Sequence, residues 1–201
     1  MAVNTNTKKN NINIELKDVQ NEYNINTEDI MKFISSNIML IIHKNKKRKR
    51  KPIKDINEPF YSKTIPVLSI EKFLIRIMKY TEAENNTLIA AYIFIIKLIK
   101  KEKYVLSINN VYRLLLGSIV IAKKSLEDLI YKNSYYCQIG GISLEELNNI
   151  ELSLFTRIDF KVNPEKEEID NIYKLIKESL NSKITRTTKI IENNDIINYK
   201  K

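Results

Sequence analysis

The stretch NVYRLLLGSIVIAKKSLED, Asn110–Asp128, decides how the rest of the chain must fold. Between Val111 and Ala122 the only charged residue is Arg113, and apolar residues fall on every side of a helix. A helix that is apolar all round has to be enclosed by other helices, and this one is shorter than the ~20 apolar residues that span a bilayer. The stretch therefore predicts the central helix of a small bundle, whose C-terminal end emerges at the surface where charged residues follow Ala122.

The composition favours a helical protein with one domain and two tails. The 201 residues include only three glycines, and Ile, Leu, Lys and Asn are abundant. A single cysteine, Cys137, cannot close an internal disulfide, which suits a reducing compartment. The first ten residues, MAVNTNTKKN, contain no apolar core, so we expect no secretory signal and a location in the nucleus and cytoplasm.

The positive charge lies in the two ends of the chain rather than in its middle. Residues 1–56 hold 12 Lys/Arg and 6 Asp/Glu, residues 57–180 hold 17 and 16, and residues 181–201 hold 5 and 2. The net charge of +10 therefore comes almost entirely from the flanks. Because a fold that grips duplex phosphates needs its cations on the folded surface, this distribution disfavours nucleic acid as a partner.

Helical periodicity divides the chain into three parts. Residues 1–26 are rich in Asn and have no period, which predicts a disordered lead-in. Residues 27–180 form the domain: one N-terminal helix, about five packed helices and one more helix at the C-terminal side, with no β alternation. Residues 181–201 lose the period and are predicted to be a flexible tail. The candidate N-cap residues of these helices are Thr27, Ser69, Ser107, Ser143 (in a capping box with Glu146) and Asn163.

A strongly basic run, KNKKRKRK, follows the N-terminal helix of the domain. It places seven cations in eight residues, Lys44–Lys51, at the start of a predicted loop over residues 44–56. Such a run is either a solvated, self-repelling loop or a nuclear-import signal or polyanion contact, and the sequence leaves both interpretations open. The residues of the candidate import signal are Lys46, Lys47, Arg48, Lys49, Arg50 and Lys51.

The residue types needed for catalysis are scarce. With one histidine and one cysteine, the chain offers no Cys/His metal set and no Ser–His or Cys–His nucleophile pair. Gly140 and Gly141 are not followed by the Lys and Ser/Thr of a phosphate-binding loop. We therefore expect a protein that is not an enzyme and that uses no metal, cofactor, small-molecule substrate or membrane.

One carboxylate falls on an apolar stripe. On the helix predicted over residues 144–158, Glu151 occupies a position that the helical period assigns to the buried face. Burying an unpaired charge costs several kcal/mol, so Glu151 needs a partner protein or a cation such as Lys123 or Lys124 at the end of the central helix. Alternatively, Glu151 lies at the solvent-exposed edge of the stripe and Lys124 pairs with Asp128 on its own helix. Such an i,i+4 ion pair stabilises a helix by ~0.2–0.5 kcal/mol. Periodicity alone favours this second interpretation.

Four motifs, taken in order and spacing, resemble the cyclin box, and the last two resemble in particular the P-type (also called U-type) cyclins. The resemblance extends over about Asp29 to Leu180 and implies a five-helix box with an extra N-terminal helix and a C-terminal helix. The four motifs are SIEKFLIRIMKYT (69–81), AAYIFIIKL (90–98), NVYRLLLGSIVIAKK (110–124) and YYCQIGGISLEELNNIELSLFTRIDF (135–160).

The resemblance implies a regulatory subunit of a cyclin-dependent kinase. In that family a lysine on the third box helix and a glutamate on the fifth grip the C-helix region of the kinase. These residues correspond here to Lys124 and Glu151, with Ile121 and Leu154 supplying apolar contact area and Lys123 flanking the contact. Because a kinase needs its strand lysine paired with its C-helix glutamate, a cyclin that binds only that state shifts the kinase population toward activity.

The chain departs from the usual pattern of the family at several positions, and the departures beside Lys124 bear on which kinase is bound. Two other classes of function remain open. One is a helical scaffold that binds a protein other than a kinase, and the other is a binder of nucleic acid or an anionic surface that uses the basic run. The departures are Ile96 and Lys97 for an acid–base pair, Tyr112 for a frequent His, Lys123 for Ala and Ser125 for an aromatic residue.

Overall fold

The computed structural model describes residues 16–52 and 58–182. Over these ranges it contains helices and no strand, which confirms the predicted all-α fold. The first helix, α1, covers residues 16–23. The others are α2 (Thr27–Lys47), α3 (Ile70–Thr81), α4 (Asn85–Glu102), α5 (Val111–Leu126), α6 (Asn133–Gly140), α7 (Leu144–Arg157) and α8 (Lys166–Asn181).

Helix α5 is the centre of the bundle, as its apolar surface predicts. It contacts α3, α4, α6 and α7, and from Val111 to Lys123 every residue except Arg113 is buried. Its charged end emerges one residue later than predicted, because Lys123 is still fully buried and the half-exposed residues begin at Lys124. None of the helices in the described ranges is both long and apolar enough to cross a membrane.

The approach of α5 to α7 is close because of one glycine. A Cβ atom built on Gly117 of α5 would overlap with the Cγ2 atom of Ile150 on α7. Only a residue without a side chain allows the two backbones to come this near. Gly117 therefore sets the distance between the two helices that carry Lys124 and Glu151.

The prediction that the lead-in is disordered is wrong for residues 16–23. Helix α1 is folded, and its residues Leu16 and Val19 are 2% and 3% exposed. Leu16, Val19 and Tyr23 have helical spacing, but eight residues are too few to form a stable helix alone, so the segment folds because of its contacts with the rest of the protein. Residues 1–15 of the lead-in lie outside the described residues.

Buried polar groups hold α1 against α4 and α8. The side-chain amide of Asn86 on α4 donates to the carbonyl of Leu16 over 2.9 Å, and the hydroxyl of Tyr173 on α8 donates to Asn86 Oδ1 over 2.9 Å. The ring of Tyr23 stacks on Tyr173 with 5.4 Å between the centroids. The N-terminal segment from residue 16 is therefore part of the folded domain.

The predicted helix starts are confirmed at two sites and wrong at three. Ser69 accepts a bond from the amide of Lys72, and Ser143 and Glu146 form the predicted capping box. At the other sites the helix begins after a different residue: Asn26 replaces Thr27, Asn110 replaces Ser107, and Glu165 replaces Asn163. The side chain of Asn110 bonds backward to the turn before α5 rather than to the helix, an arrangement that residue type alone does not indicate.

The basic run is not a loop throughout. Helix α2 continues to Lys47, so the first residues of the predicted loop over 44–56 are helical. Residues 53–57 of that loop, and residues 183–201 of the predicted tail, lie outside the described residues.

The connector between α2 and α3 is fixed by a buried cluster of charge and aromatic rings. The guanidinium of Arg157, at the end of α7, donates to both carboxylate oxygens of Glu58 over 3.0 and 3.2 Å. It also lies over the rings of Phe60 and Tyr104, 5.1 and 4.9 Å from the centroids. A planar guanidinium can donate to carboxylates at its edge while its face stacks on aromatic rings. The cluster therefore joins the connector to the helix that carries Glu151.

Candidate functional site

A surface groove of about 470 Å³ lies between the C-terminal part of α5 and the middle of α7. One edge is polar and the rest is mostly apolar. The lining residues are Ile121, Lys124, Ser125, Asn148, Glu151, Leu152, Phe155 and Val162.

The polar edge of the groove is a network centred on Glu151. Lys124 Nζ lies 2.7 Å from Glu151 Oε1 and donates to Asn133 Oδ1 over 2.7 Å. The side-chain amide of Asn133 in turn donates to Glu151 and, over 2.8 Å, to Asn148 Oδ1. The side chains of Lys124 and Glu151 are 34% and 15% exposed. Their ion pair confirms the interpretation in which a lysine of the central helix compensates the carboxylate on the apolar stripe.

Helix α6 supplies the residues that complete this edge. Its first residue, Asn133, is placed in the network, and Gly141 ends the helix with a left-handed φ of 67°, as the glycine pair predicts. Cys137 lies on the buried side of α6. Burial, together with the negative charge of Glu151, raises the pKa of the Cys137 thiol, so the protonated thiol is not suited to nucleophilic chemistry.

The apolar part of the groove exposes more hydrocarbon than the fold requires. Leu152 is 64% exposed although Leu154, two residues later, is completely buried. Ser125 forms part of the lining, and its single O–H donor lies within hydrogen-bond distance of the carbonyls of Ala122 and Val162, at 2.9 and 3.0 Å. Because the hydroxyl is satisfied by backbone, the small side chain leaves space without an unpaired polar group.

A further apolar residue, Phe160, extends this surface beyond the end of α7. Its side chain is 59% exposed and contacts Phe155 edge to face, with 4.8 Å between the centroids. Both Phe160 and the preceding Asp159 have left-handed backbone, with φ values of 58° and 56°. A bulky residue in this region of backbone conformation is strained.

The sequence did not identify Phe160 or Leu152 as site residues. Phe160 follows the last helical turn, where periodicity no longer assigns a face, and the helix-ending conformation that turns it outward is visible only in the backbone. Leu152 did carry a signal, because it departs from the buried stripe of α7. Exposed leucines are common, however, and only its position beside Glu151 distinguishes it.

Two of the residues predicted to contact the kinase lie in the core instead. Leu154 and Lys123 are both 0% exposed, so neither can offer contact area to a partner. Lys123 pairs with Glu127, one turn later on the same chain. Glu127 also accepts bonds from the amide of Glu84 and the hydroxyl of Thr87, over 2.9 and 2.6 Å. Helical periodicity predicts on which side of a helix a residue lies, but not how deeply that side is buried. Leu154 and Lys123 are more deeply buried than expected.

Three predicted residues do lie together at the groove. Lys124 and Glu151 form its polar edge, and Ile121, which is 6% exposed, lies in its lining. The kinase contact itself stays a prediction for all three. Within the described ranges, no group of His, Cys, Asp or Glu residues is arranged to hold a metal ion.

Comparison with known proteins gives the family. The profile of the cyclin family matches residues 4–162. Cyclin-U2-1 of Arabidopsis thaliana is 38% identical over 104 residues, which cover 51% of this chain and 47% of the plant protein. PHO85 cyclin-7 of Saccharomyces cerevisiae is 32% identical over 129 residues, covering 58% of this chain and 45% of the yeast protein.

A fission-yeast relative shows the same pattern. PHO85 cyclin-like protein psl1 of Schizosaccharomyces pombe is 36% identical over 105 residues, covering 51% of this chain and 43% of the yeast protein. The chain thus spans about half the length of the curated relatives that it matches. The family match covers more than half of the chain, and it agrees with the predicted resemblance and with the all-helical fold. This chain belongs to the cyclin family, in the branch of the U-type and P-type cyclins.

Proposed function

We propose that this protein is a non-catalytic regulatory subunit that binds and activates a cyclin-dependent protein kinase. The groove between α5 and α7 is the proposed binding site, and the C-helix region of the kinase is the proposed occupant. Membership of the cyclin family supports this class of function, as does the similarity to PHO85 cyclin-7 and to PHO85 cyclin-like protein psl1. We further propose a role in cell-cycle or nutrient-linked and phosphate-linked signalling, in the nucleus and cytoplasm.

One observation carries the proposal: partly exposed charge and exposed hydrocarbon lie side by side in the groove. Lys124 and Glu151 satisfy each other, yet neither side chain is fully buried. Leu152, which lines the groove with them, is 64% exposed, and Phe160, which contacts the lining residue Phe155, is 59% exposed. An amphipathic helix fits such a surface, because its apolar face covers the hydrocarbon while its polar groups meet the ion pair.

The proposed mechanism is a shift of a conformational equilibrium. A kinase places ATP phosphates and magnesium correctly only when its C-helix glutamate is paired with its strand lysine. A groove that is complementary to the C-helix in that position binds the active conformation more tightly than the inactive one. The exposed leucine and phenylalanine supply buried area, and the ion pair sets the orientation of the bound helix.

The test uses charge reversal in the groove. We expect Lys124→Glu and Glu151→Lys each to abolish co-purification of the kinase while the helical circular dichroism stays intact, because each reversal places two like charges together at the contact. The double variant Lys124→Glu/Glu151→Lys restores an internal ion pair with the opposite polarity. We expect the double variant to recover stability but not kinase binding.

A matched control lies on the same two helices. Arg113 and Glu146 form a second ion pair between α5 and α7, away from the groove. Glu146→Ala should lower stability, because it breaks both this pair and the capping box of α7, yet leave kinase binding intact. Retention of kinase by both groove reversals would reject the proposal in favour of a helical scaffold for other proteins. Loss of kinase in the Glu146 control as well would assign the effect to general destabilisation.

A further inference from the structure

We propose that the basic end of α2 binds an acidic segment of a second protein, and that it does so as a folded helix end rather than as an extended chain. The basic end consists of residues Lys44–Lys51, of which seven are cations. This site is separate from the groove, and its existence does not depend on the proposed kinase contact.

The backbone of the basic end is closed by a Schellman motif. The amide of Arg50 donates to the carbonyl of Asn45, and the amide of Lys49 donates to the carbonyl of Lys46, each over 3.0 Å. These are the two bonds that define the motif. The side-chain amide of Asn45 also donates to the carbonyl of Leu106 over 2.9 Å. The helix end is therefore fixed to the turn before α5, and the cations around it have defined positions.

The closure depends on an unusual residue. Lys49 occupies the left-handed position of the motif, with a φ of 54°, where glycine is usual and a lysine is strained. A glycine there would make the helix end more stable, but it would also remove a charge. Glu82 and Lys103 end α3 and α4 in the same left-handed conformation, so the relevant property of Lys49 is that the closed helix end holds its charge at a fixed place among the other cations.

The cations of the basic end are available for binding. All six residues from Lys46 to Lys51 are exposed. None of them forms an ion pair with an acidic side chain in residues 16–52 or 58–182. Like charges this close repel one another, so an anionic partner gains both the new contacts and the relief of that repulsion.

The neighbouring surface favours a protein segment over nucleic acid. Met39, two turns before Lys46 on the same face of α2, is 46% exposed, so the helix that carries the basic end also presents an apolar side chain. No aromatic residue lies within the basic run, so it lacks the stacking platform that single-stranded nucleic acid uses. An acidic peptide that also carries an apolar side chain matches both the charges and Met39.

The basic end and the groove are far enough apart to be occupied together. The basic end is anchored beside Leu106, before the start of α5, whereas Lys124 lies near the end of that helix. At a rise of about 1.5 Å per residue, the length of α5 from Val111 to Lys124 is about 20 Å. A kinase in the groove and an acidic segment on the basic end would therefore meet different surfaces of the bundle.

The test separates a folded from an extended binding mode with two charge-matched variants. Lys49→Gly and Lys49→Val remove the same charge, but glycine favours the left-handed position and valine disfavours it. The probe is a fluorescein-labelled glutamate peptide with leucine at every fourth position, titrated with the full-length protein. We expect the glycine variant to bind this peptide about fivefold more tightly than the valine variant.

Three further arms complete the experiment. The triple variant Lys46→Gln/Arg48→Gln/Arg50→Gln should weaken peptide binding by about tenfold or more, with a much shallower dependence on salt. Lys124→Glu should bind the peptide as the native protein does, which keeps this site distinct from the groove. Single-stranded RNA of equal charge should compete poorly for the site, because the run offers no aromatic ring for base stacking.

Several results would overturn the inference. Equal or tighter binding by the valine variant would show that the run is recognised in extended form, as for a nuclear-import signal. Better competition by RNA than by unlabelled peptide would assign the run to nucleic acid. Peptide binding that survives the triple substitution, or no binding at all by the native protein, would show that the basic end is only a solvated helix terminus.

Discussion

Lys123 and Lys124 are neighbours on α5, yet the fold places them in opposite environments. Lys123 is completely buried and pairs with Glu127, which also accepts hydrogen bonds from the start of α4. Lys124 has a side chain that is 34% exposed and pairs with Glu151 across the groove. One lysine belongs to the interior, and the other belongs to a surface that can meet a partner.

The different burial of Lys123 and Lys124 shows that a charged residue beside a candidate binding groove need not have a role in binding. Successive residues of a helix point about 100° apart, since there are ~3.6 residues per turn. That rotation turns Lys123 toward α4 and Lys124 toward α7. A charge inside the bundle must be fully satisfied by the protein itself, whereas a charge at the edge can exchange part of its solvation for contacts with another molecule.

The largest expected effect is on stability, at Lys123. Lys123→Ala removes the cation from a buried pair, and breaking such a pair typically costs about 3–5 kcal/mol. We expect a loss of this size in the free energy of unfolding, measured by urea denaturation. The double variant Lys123→Met/Glu127→Gln should recover most of it, because neither residue is then charged. A change below about 1 kcal/mol in Lys123→Ala would show that the lysine is not a structural residue.

Two leucines on α7, Leu152 and Leu154, allow the same comparison between an exposed and a buried residue without any charge. Leu154 is completely buried, and Leu154→Ala should cost about 2–5 kcal/mol. Leu152 is 64% exposed, and Leu152→Gln should change stability by less than about 0.5 kcal/mol while weakening kinase binding about tenfold or more. Thermal unfolding and a quantitative pull-down measure the two effects. Equal kinase binding by Leu152→Gln and the native protein would remove Leu152 from the proposed contact.

Lys124 should show the reverse of Lys123. The pair with Glu151 is partly exposed, and we expect Lys124→Ala to lower the free energy of unfolding by about 1 kcal/mol, well below the effect at Lys123. Its effect on kinase binding should exceed that of any core substitution that leaves the protein folded. Urea denaturation and co-purification, done on the same preparations, separate the two quantities. A larger stability loss at Lys124 than at Lys123 would contradict the assignment of roles.

The smallest expected effect concerns pH and the second ion pair between α5 and α7. The amide of Ser143, together with the charge of Arg113, holds the pKa of Glu146 below its ordinary value. A lowered pKa in the folded state means that the ionised carboxylate stabilises the fold above its unfolded pKa of about 4.3. This contribution is lost as the pH falls through the lower, folded value.

The corresponding variant is Glu146→Gln. It should lose a small part of its stability near neutral pH and show a shallower decline in stability below about pH 4.3 than the native protein does. Thermal unfolding followed across the acidic range measures both. If the stability of the variant and of the native protein fell equally with decreasing pH, the ionisation of Glu146 would not contribute to the stability of the fold. The groove should be unaffected, since this pair lies toward the start of α7.

The general architecture follows from the sequence because its signals are local or periodic. The stretch around α5 is apolar on all sides and had to be central, and Ser143 with Glu146 fixes the start of α7 through a bond pattern three residues long. The pairing of Lys124 with Glu151 was one of two interpretations. Periodicity favoured the other one, and the choice required the distance between two helices, which no pattern within one helix contains.

The parts that could not be predicted depend on contacts between distant segments. Helix α1 folds because Asn86 and Tyr173 hold it, residues that are far away in sequence. The burial of Leu154 and Lys123 depends on how deeply each helix is packed. Phe160 follows Asp159 in a pair of left-handed residues after α7, and although aspartate tolerates that conformation, phenylalanine does not favour it.

The contact at Gly117 has a mechanical consequence for the groove. Gly117 lies two turns before Lys124 on α5, and it touches Ile150, the residue before Glu151 on α7. A methyl group added there would overlap with Ile150, so either the Ile150 side chain would shift or α5 and α7 would move apart and widen the groove. The width of this groove is thus set from inside the bundle, by the side chain that position 117 lacks.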